Sequence, residues 1–185
     1  MHAVICSATE YESTQFQTFM DGERASVYSQ WIFDIIEKRY GRKKEQIFID
    51  RPEWCLCADK YHGSDQRYLV VFKDKTLRTI RDLRNIHLDL LIDVQKTIIE
   101  WLRVRYPSTF KMFSVFFHYM PSVFQLHLHV NMKSQYINTQ RAHYLARVIR
   151  NLQSNSEFYV QALILTKLCK TLKRSQTHDT VKVPI

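Results

Sequence analysis

Between Val123 and Met132 the chain alternates polar and apolar residues with a period of two, and the polar positions include Gln125, His127 and His129. Successive side chains of an extended strand point to opposite faces. Gln125, His127 and His129 therefore share one face, and Leu126, Leu128 and Val130 share the other. The apolar face requires a core to cover it; the polar face presents proton-transfer and ligand groups in a row. The run enters through Met120-Pro121-Ser122, a corner that follows an apolar stretch at 110–119. Those features demand a sheet in which two neighbouring strands meet at a turn.

Three chemistries suit the row. A metal centre often takes His-x-His from one strand, but it needs a third ligand and outer partners that orient the rings. His118, His143, Asp59 and Cys57 are available, none at a diagnostic spacing. A nucleophilic imidazole needs its second ring nitrogen held by a hydrogen bond that sets the tautomer. Imidazoles can also simply occupy a wet strand face.

The remaining pattern supplies the sheet and its cover. Val27, Trp31, Ile32, Ile35 and Ile36 fall at helical spacing over 26–39, with Gly41 as a stop. Strands are expected at 46–50, 54–58 and 67–72, which are rich in aromatic and β-branched residues. Leu90, Leu91, Val94, Ile98, Trp101 and Leu102 step by three and four over 88–106, ahead of Pro107. A strand at 110–119 and the histidine strand at 123–132 follow. A helix is expected at 140–152, a strand or extended stretch at 159–163, and a short basic helix at 167–174. From Ser175 the chain is polar. This order is an α+β fold: an antiparallel sheet with a long packing helix and a C-terminal helix.

With 185 residues, 45% of them hydrophobic, the chain suffices for one substantial core and no second catalytic domain. No run reaches a membrane span, and the start lacks the basic-then-apolar layout of a secretory signal. The expectation is an intracellular protein, cytoplasmic or nuclear, without membrane attachment. Cys6, Cys55, Cys57 and Cys169 lack paired spacing, which argues against a disulfide framework. The net charge of +9 favours polyanionic partners, with basic clusters at 38–39, 42–44 and 170–174.

The run His118-Tyr119-Met120-Pro121-Ser122-Val123-Phe124-Gln125-Leu126-His127-Leu128-His129-Val130 resembles, without a gap, the segment that carries the triad in scavenger mRNA-decapping enzymes, a branch of the histidine triad hydrolases. Their pattern is His-Tyr-Leu-Pro-Ser followed by alternating histidines and apolar residues. Ile80-Arg81-Asp82-Leu83, the segment Trp31 to Lys38 and the stretch from Arg141 to Leu152 extend the resemblance over roughly 28–172. It implies a histidine triad fold, usually homodimeric. It also implies a catalytic domain at 26–174, behind a 1–25 stub where the family carries a sizeable N-terminal domain, and a polar tail at 175–185.

By the same resemblance the substrate is a methylguanosine cap dinucleotide or short capped RNA, handled without cofactor or metal. His127 attacks the phosphate next to methylguanosine and forms a covalent nucleotidyl intermediate. His129, Ser122 and His118 match positions that serve the phosphates, and Lys60 is the candidate basic residue. A methylated guanine is cationic, so an aromatic face and a carboxylate suit it. Trp31 matches the stacking tryptophan, Asp59 lies where the family has Pro-Asp-Leu-Lys, and Glu45 is the acidic candidate for the base edge. One departure stands out: Gln125 replaces the first histidine, and an amide cannot carry a proton charge. Two other readings stay open: a cap or nucleotide binding protein with little turnover, and a histidine triad hydrolase of another nucleotidyl phosphate or phosphoramidate.

Overall fold

The computed structural model describes residues 4–38, 46–59, 66–110, 112–132 and 141–166. In chain order the strands are β1 (Val4–Cys6), β2 (Ile47–Asp50), β3 (Trp54–Ala58), β4 (Arg67–Phe72), β5 (Phe113–His118), β6 (His127–Met132), β7 (Ala142–Tyr144) and β8 (Ile164–Thr166). The helices are α1 (Ala8–Glu12), α2 (Thr14–Ala25), α3 (Gln30–Ile36), α4 (Leu88–Arg105), α5 (Leu145–Ser154) and α6 (Phe158–Gln161). Six strands form one antiparallel sheet in the order β2-β3-β4-β6-β5-β7, and β1 pairs with β8 separately. The fold is α+β, as the pattern implied.

β6 lies inside the sheet. His127 stands opposite Val71 and His129 opposite Leu69 on one side, while Phe116 faces His129 from the other. Alternation then divides the residues. Leu126, Leu128, Val130 and Met132 join Val70, Phe72 and Phe117 in the main core, under Leu91, Val94, Ile98 and Leu102 of α4 and Leu145, Val148, Ile149 and Leu152 of α5. On the opposite face, Cys55, Cys57, Leu69, Val71 and Val123 are covered by Ile32 and Ile35 of α3. Each large apolar side chain buried this way contributes about 1.5–3 kcal/mol.

Helices α1 and α2 follow one another, each opened by a serine cap in extended conformation. Ser7 Oγ accepts from the Glu10 amide at 3.1 Å, and Ser13 Oγ accepts from the Phe16 amide at 3.2 Å. Tyr11, Phe16 and Met20 from this segment belong to the main core. The rings of Phe16 and Phe19 meet Phe124 edge-on, at 6.3 and 5.8 Å between centroids. A second tie runs through a short 3₁₀ turn at Ile80–Asp82. There Arg81, only 2% exposed, donates to the Tyr119 hydroxyl at 2.8 Å and to the carbonyls of Tyr159 and Ala162 at 3.0 Å.

Several boundaries differ from the sequence pattern. The helix expected over 26–39 spans only Gln30–Ile36; Val27 lies outside it and is 82% exposed. The histidine strand begins at His127, because β4 ends at Phe72 and leaves residues 123–126 no ladder to join. The helix expected from 140 begins at Leu145, since Ala142–Tyr144 pairs with the edge of β5. The segment 158–161 is a helical turn, and the chain extends only at Ile164–Thr166 to meet β1. The basic helix expected at 167–174, Gly41 and the tail lie outside the described residues. Among the described residues no helix is long and apolar enough to cross a membrane.

Candidate active site

A cavity of about 220 Å³ opens on the sheet face opposite the main core. Trp31, Asp59, Ser122, His127 and His129 line it together with Tyr28, Leu69 and Val123. The elements explain the convergence. Helix α3 seats Ile32 and Ile35 on the sheet, which leaves its neighbour Trp31 half-buried at the cavity edge. Asp59 directly follows β3, its amide donating to the Arg67 carbonyl at 3.0 Å, and it is 5% exposed. Leu69 and Val123 belong to the apolar cluster beneath the cavity. Ser122, after Pro121, is exposed at the corner.

His127 is buried, and its Nδ1 lies 2.7 Å from the carbonyl oxygen of Gln125. A carbonyl only accepts, so Nδ1 carries the proton and Nε2 of the neutral ring keeps its lone pair. Burial pushes the His127 pKa down from its ordinary value, the Arg141 charge adds to that effect, and the Gln125 carbonyl and Asp59 oppose it. The net result is a ring held neutral at physiological pH. His129 lies next, with ring centroids 5.2 Å from His127 and 4.3 Å from His118, and it stacks on Phe116 at 5.4 Å. The three imidazoles thus run outward from the cavity, from β6 to the end of its neighbour β5.

Gln125 departs from the expected row. Its side chain is fully buried and does not line the cavity; Nε2 instead donates to the carbonyls of Phe72 at 2.9 Å and Asp74 at 2.8 Å. The alternation placing it beside His127 and His129 assumed a strand that begins four residues later. Glu45 and Lys60 lie outside the described residues. Among the described residues no three His, Cys, Asp or Glu side chains converge as metal ligands. Cys55 and Cys57 are buried, packed thiols, and burial pushes the Cys55 pKa up to about 11.

Two residues at the site went unassigned in the sequence. Tyr28 lies at the cavity although 83% exposed; its place three residues before Trp31 was the available signal. Arg141 directly precedes β7, donates through its guanidinium to the Met120 carbonyl and acts on His127 by its charge. No local pattern marks it, because Met120 and Arg141 stand 21 residues apart in the chain.

A family described as scavenger mRNA decapping enzyme C-terminal binding matches residues 30–144. The m7GpppX diphosphatase of Mus musculus is 30% identical over 150 residues, 75% of this chain and 44% of that protein. The proteins of the same description from Homo sapiens and Caenorhabditis elegans are 29% and 27% identical, covering 75% and 77% of this chain and 44% and 49% of their own lengths. The chain thus spans less than half the length of these relatives. A solved structure of Hnt3 in complex with DNA and guanosine superposes at a TM-score of 0.40 with 13% identity, covering 80% of this chain and 91% of that one.

Proposed function

Because this chain belongs to the scavenger mRNA decapping enzyme C-terminal family, we propose that it hydrolyses the triphosphate bridge of methylguanosine-capped dinucleotides or short capped RNA. The observation that carries the reading is His127, a buried, neutral imidazole with its Nδ1 tied to a backbone carbonyl, at the wall of a cavity that also holds Trp31 and Asp59. A nucleophile for phosphorus needs that combination: a free lone pair, a fixed tautomer and a seat for the substrate.

In this reading the methylated base stacks on Trp31, and the Asp59 carboxylate offsets its positive charge. Nε2 of His127 attacks the phosphorus next to methylguanosine. The bond from that phosphorus to the bridging oxygen breaks, and the remaining nucleotide leaves with the electron pair. Water then attacks the phosphorus, releasing methylguanosine monophosphate and freeing His127. Ser122, His129 and His118 donate to the phosphate oxygens, and the Arg141 charge favours the developing anion. Glu45 at the base edge and Lys60 at the phosphates complete the site by resemblance. A homodimer in the cytoplasm or nucleus follows from the same resemblance.

Incubation with the methylated cap dinucleotide and its unmethylated analogue, without added metal, tests the reading. The expected result is release of methylguanosine monophosphate that His127→Ala abolishes. Binding without products would leave a cap-binding pocket, and cleavage indifferent to methylation would point to another nucleotidyl phosphate.

A further inference from the structure

We propose that Gln125 is a positioning residue, whose side chain anchors the backbone carbonyl that holds His127 in its reactive tautomer. The inference rests on the reading of His127 as nucleophile. It turns the loss of the first triad histidine from a defect into an alternative way of holding the same carbonyl.

The carbonyl in question lies where no ladder sets its position. β4 ends at Phe72 and β6 begins at His127, so the entry to the histidine strand is held by individual contacts. The Leu126 amide donates to the Leu77 carbonyl at 2.8 Å, and the Leu126 carbonyl accepts from the Phe72 amide at 3.1 Å. Gln125 adds two more, from Nε2 to the carbonyls of Phe72 and Asp74. Both N–H groups of the amide are thereby used. The opposite amide orientation would set its oxygen against two carbonyl oxygens, so the hydrogen-bond network itself assigns the flip.

One residue therefore carries two halves of one device. Its side chain is stapled to the last residue of β4 and to Asp74 just beyond it, and its main-chain oxygen meets His127 Nδ1 at 2.7 Å. Being fully buried and outside the cavity lining, the side chain does not touch substrate. A neutral imidazole at this position has one N–H and can serve one of the two carbonyls at a time; the amide serves both. The amide holds the carbonyl without titrating.

Two readouts test the device: the ¹⁵N shifts of the His127 ring in the free protein, which report its tautomer, and the kcat, KM and pH profile for the methylated cap dinucleotide. Gln125→Met keeps a similar volume and offers the two carbonyls no donor. It is expected to lose the fixed Nδ1–H tautomer and to lower kcat by the order of 10- to 100-fold, with KM little changed. Gln125→His is expected to keep the tautomer and kcat without adding an ionisation to the pH profile. If Gln125→Met does not fold, Gln125→Leu, also without donors, makes the same comparison.

A donor-less variant with unaltered tautomer and kcat would overturn the proposal. So would a Gln125→His enzyme at least about tenfold faster and carrying a new ionisation, since a proton at this position would then be used. If the unaltered chain binds no cap and cleaves none, the functional reading fails. The ring shifts then still decide: loss of the tautomer in Gln125→Met supports the role of Gln125, and its retention overturns it.

Discussion

At the scale of single residues, the site depends on keeping one imidazole uncharged. Burial is the largest influence on His127 and lowers its pKa from the ordinary 6.5. Attack on phosphorus needs the neutral ring, so kcat is expected to stay level through neutrality and to fall only as acid reaches the depressed pKa. A kcat profile taken from about pH 5 to 8 checks this. An acid limb centred at or above the usual histidine value of about 6.5 would contradict the burial argument. Trp31 carries the second expectation. Removing its ring in Trp31→Ala takes away the face on which a cationic base stacks, worth about 1–2 kcal/mol when desolvated, so preference for the methylated dinucleotide should fall roughly tenfold. Competition between methylated and unmethylated substrates reads this directly, and an unchanged preference would move base recognition elsewhere. Neither residue announces its role by type alone. His127 stood out because imidazoles alternated with leucine and valine, whereas Trp31 read equally well as one more apolar residue of an amphipathic helix.

At the scale of elements, α3 shows how a short helix is stopped and what stopping it costs. Lys38, just past its end, adopts φ 54°, a left-handed conformation that an L side chain resists. Its Nζ lies 3.2 Å from Asp50, but the pair is exposed and such pairs contribute little. Lys38→Gly is therefore expected to stabilise the protein by about 0.5–1 kcal/mol, read as a raised urea midpoint with an unchanged slope. A lower midpoint would show that the ion pair outweighs the backbone strain. Elements also show which boundaries the sequence could reveal. β3 and β4 were legible because their apolar runs are short, rich in strand formers and bounded by polar residues. α4 was legible because Leu91, Val94, Ile98 and Leu102 keep helical spacing under the core. The start of β6 was not, since alternation reports which way side chains point and says nothing of whether a partner strand lies alongside. The start of α5 was missed for a related reason: Ala142 fits the helical period, yet its backbone pairs with His118 at the sheet edge. Tyr28 reaches the cavity, and Arg141 the Met120 carbonyl, only through such tertiary contacts.

At the scale of the whole molecule, two couplings link distant parts of the chain. The first is electrostatic. His143 lies between the ring edges of Tyr119 and Tyr159, where burial first, then the charges of Arg147 and Arg81, push its pKa down to about 4. The unfolded chain takes up a proton at about pH 6.5, so this contribution to stability is present above that pH and is lost as pH falls towards the folded value. Roughly 2 kcal/mol is lost by about pH 5, and His143→Phe should flatten the fall in urea midpoint between neutral and acid pH. The second coupling is mechanical and runs from α2 to the nucleophile. Phe16 is buried against Phe124, and Phe124 immediately precedes Gln125, whose carbonyl orients His127. Truncating Phe16 to alanine removes a core ring at a cost of about 3–5 kcal/mol and frees Phe124 to shift. Leu102→Ala, on the buried face of α4 and away from that path, should cost about 2–5 kcal/mol as well. Stability alone would then rank the two variants together. Turnover separates them: under conditions where both remain folded, Phe16→Ala is expected to lower kcat several-fold while Leu102→Ala leaves it near the unaltered value. Equal kcat in both variants would mean that the helices before α3 support the core without reaching the histidine strand, and that the contacts of Gln125 with Phe72 and Asp74 hold the nucleophile unaided.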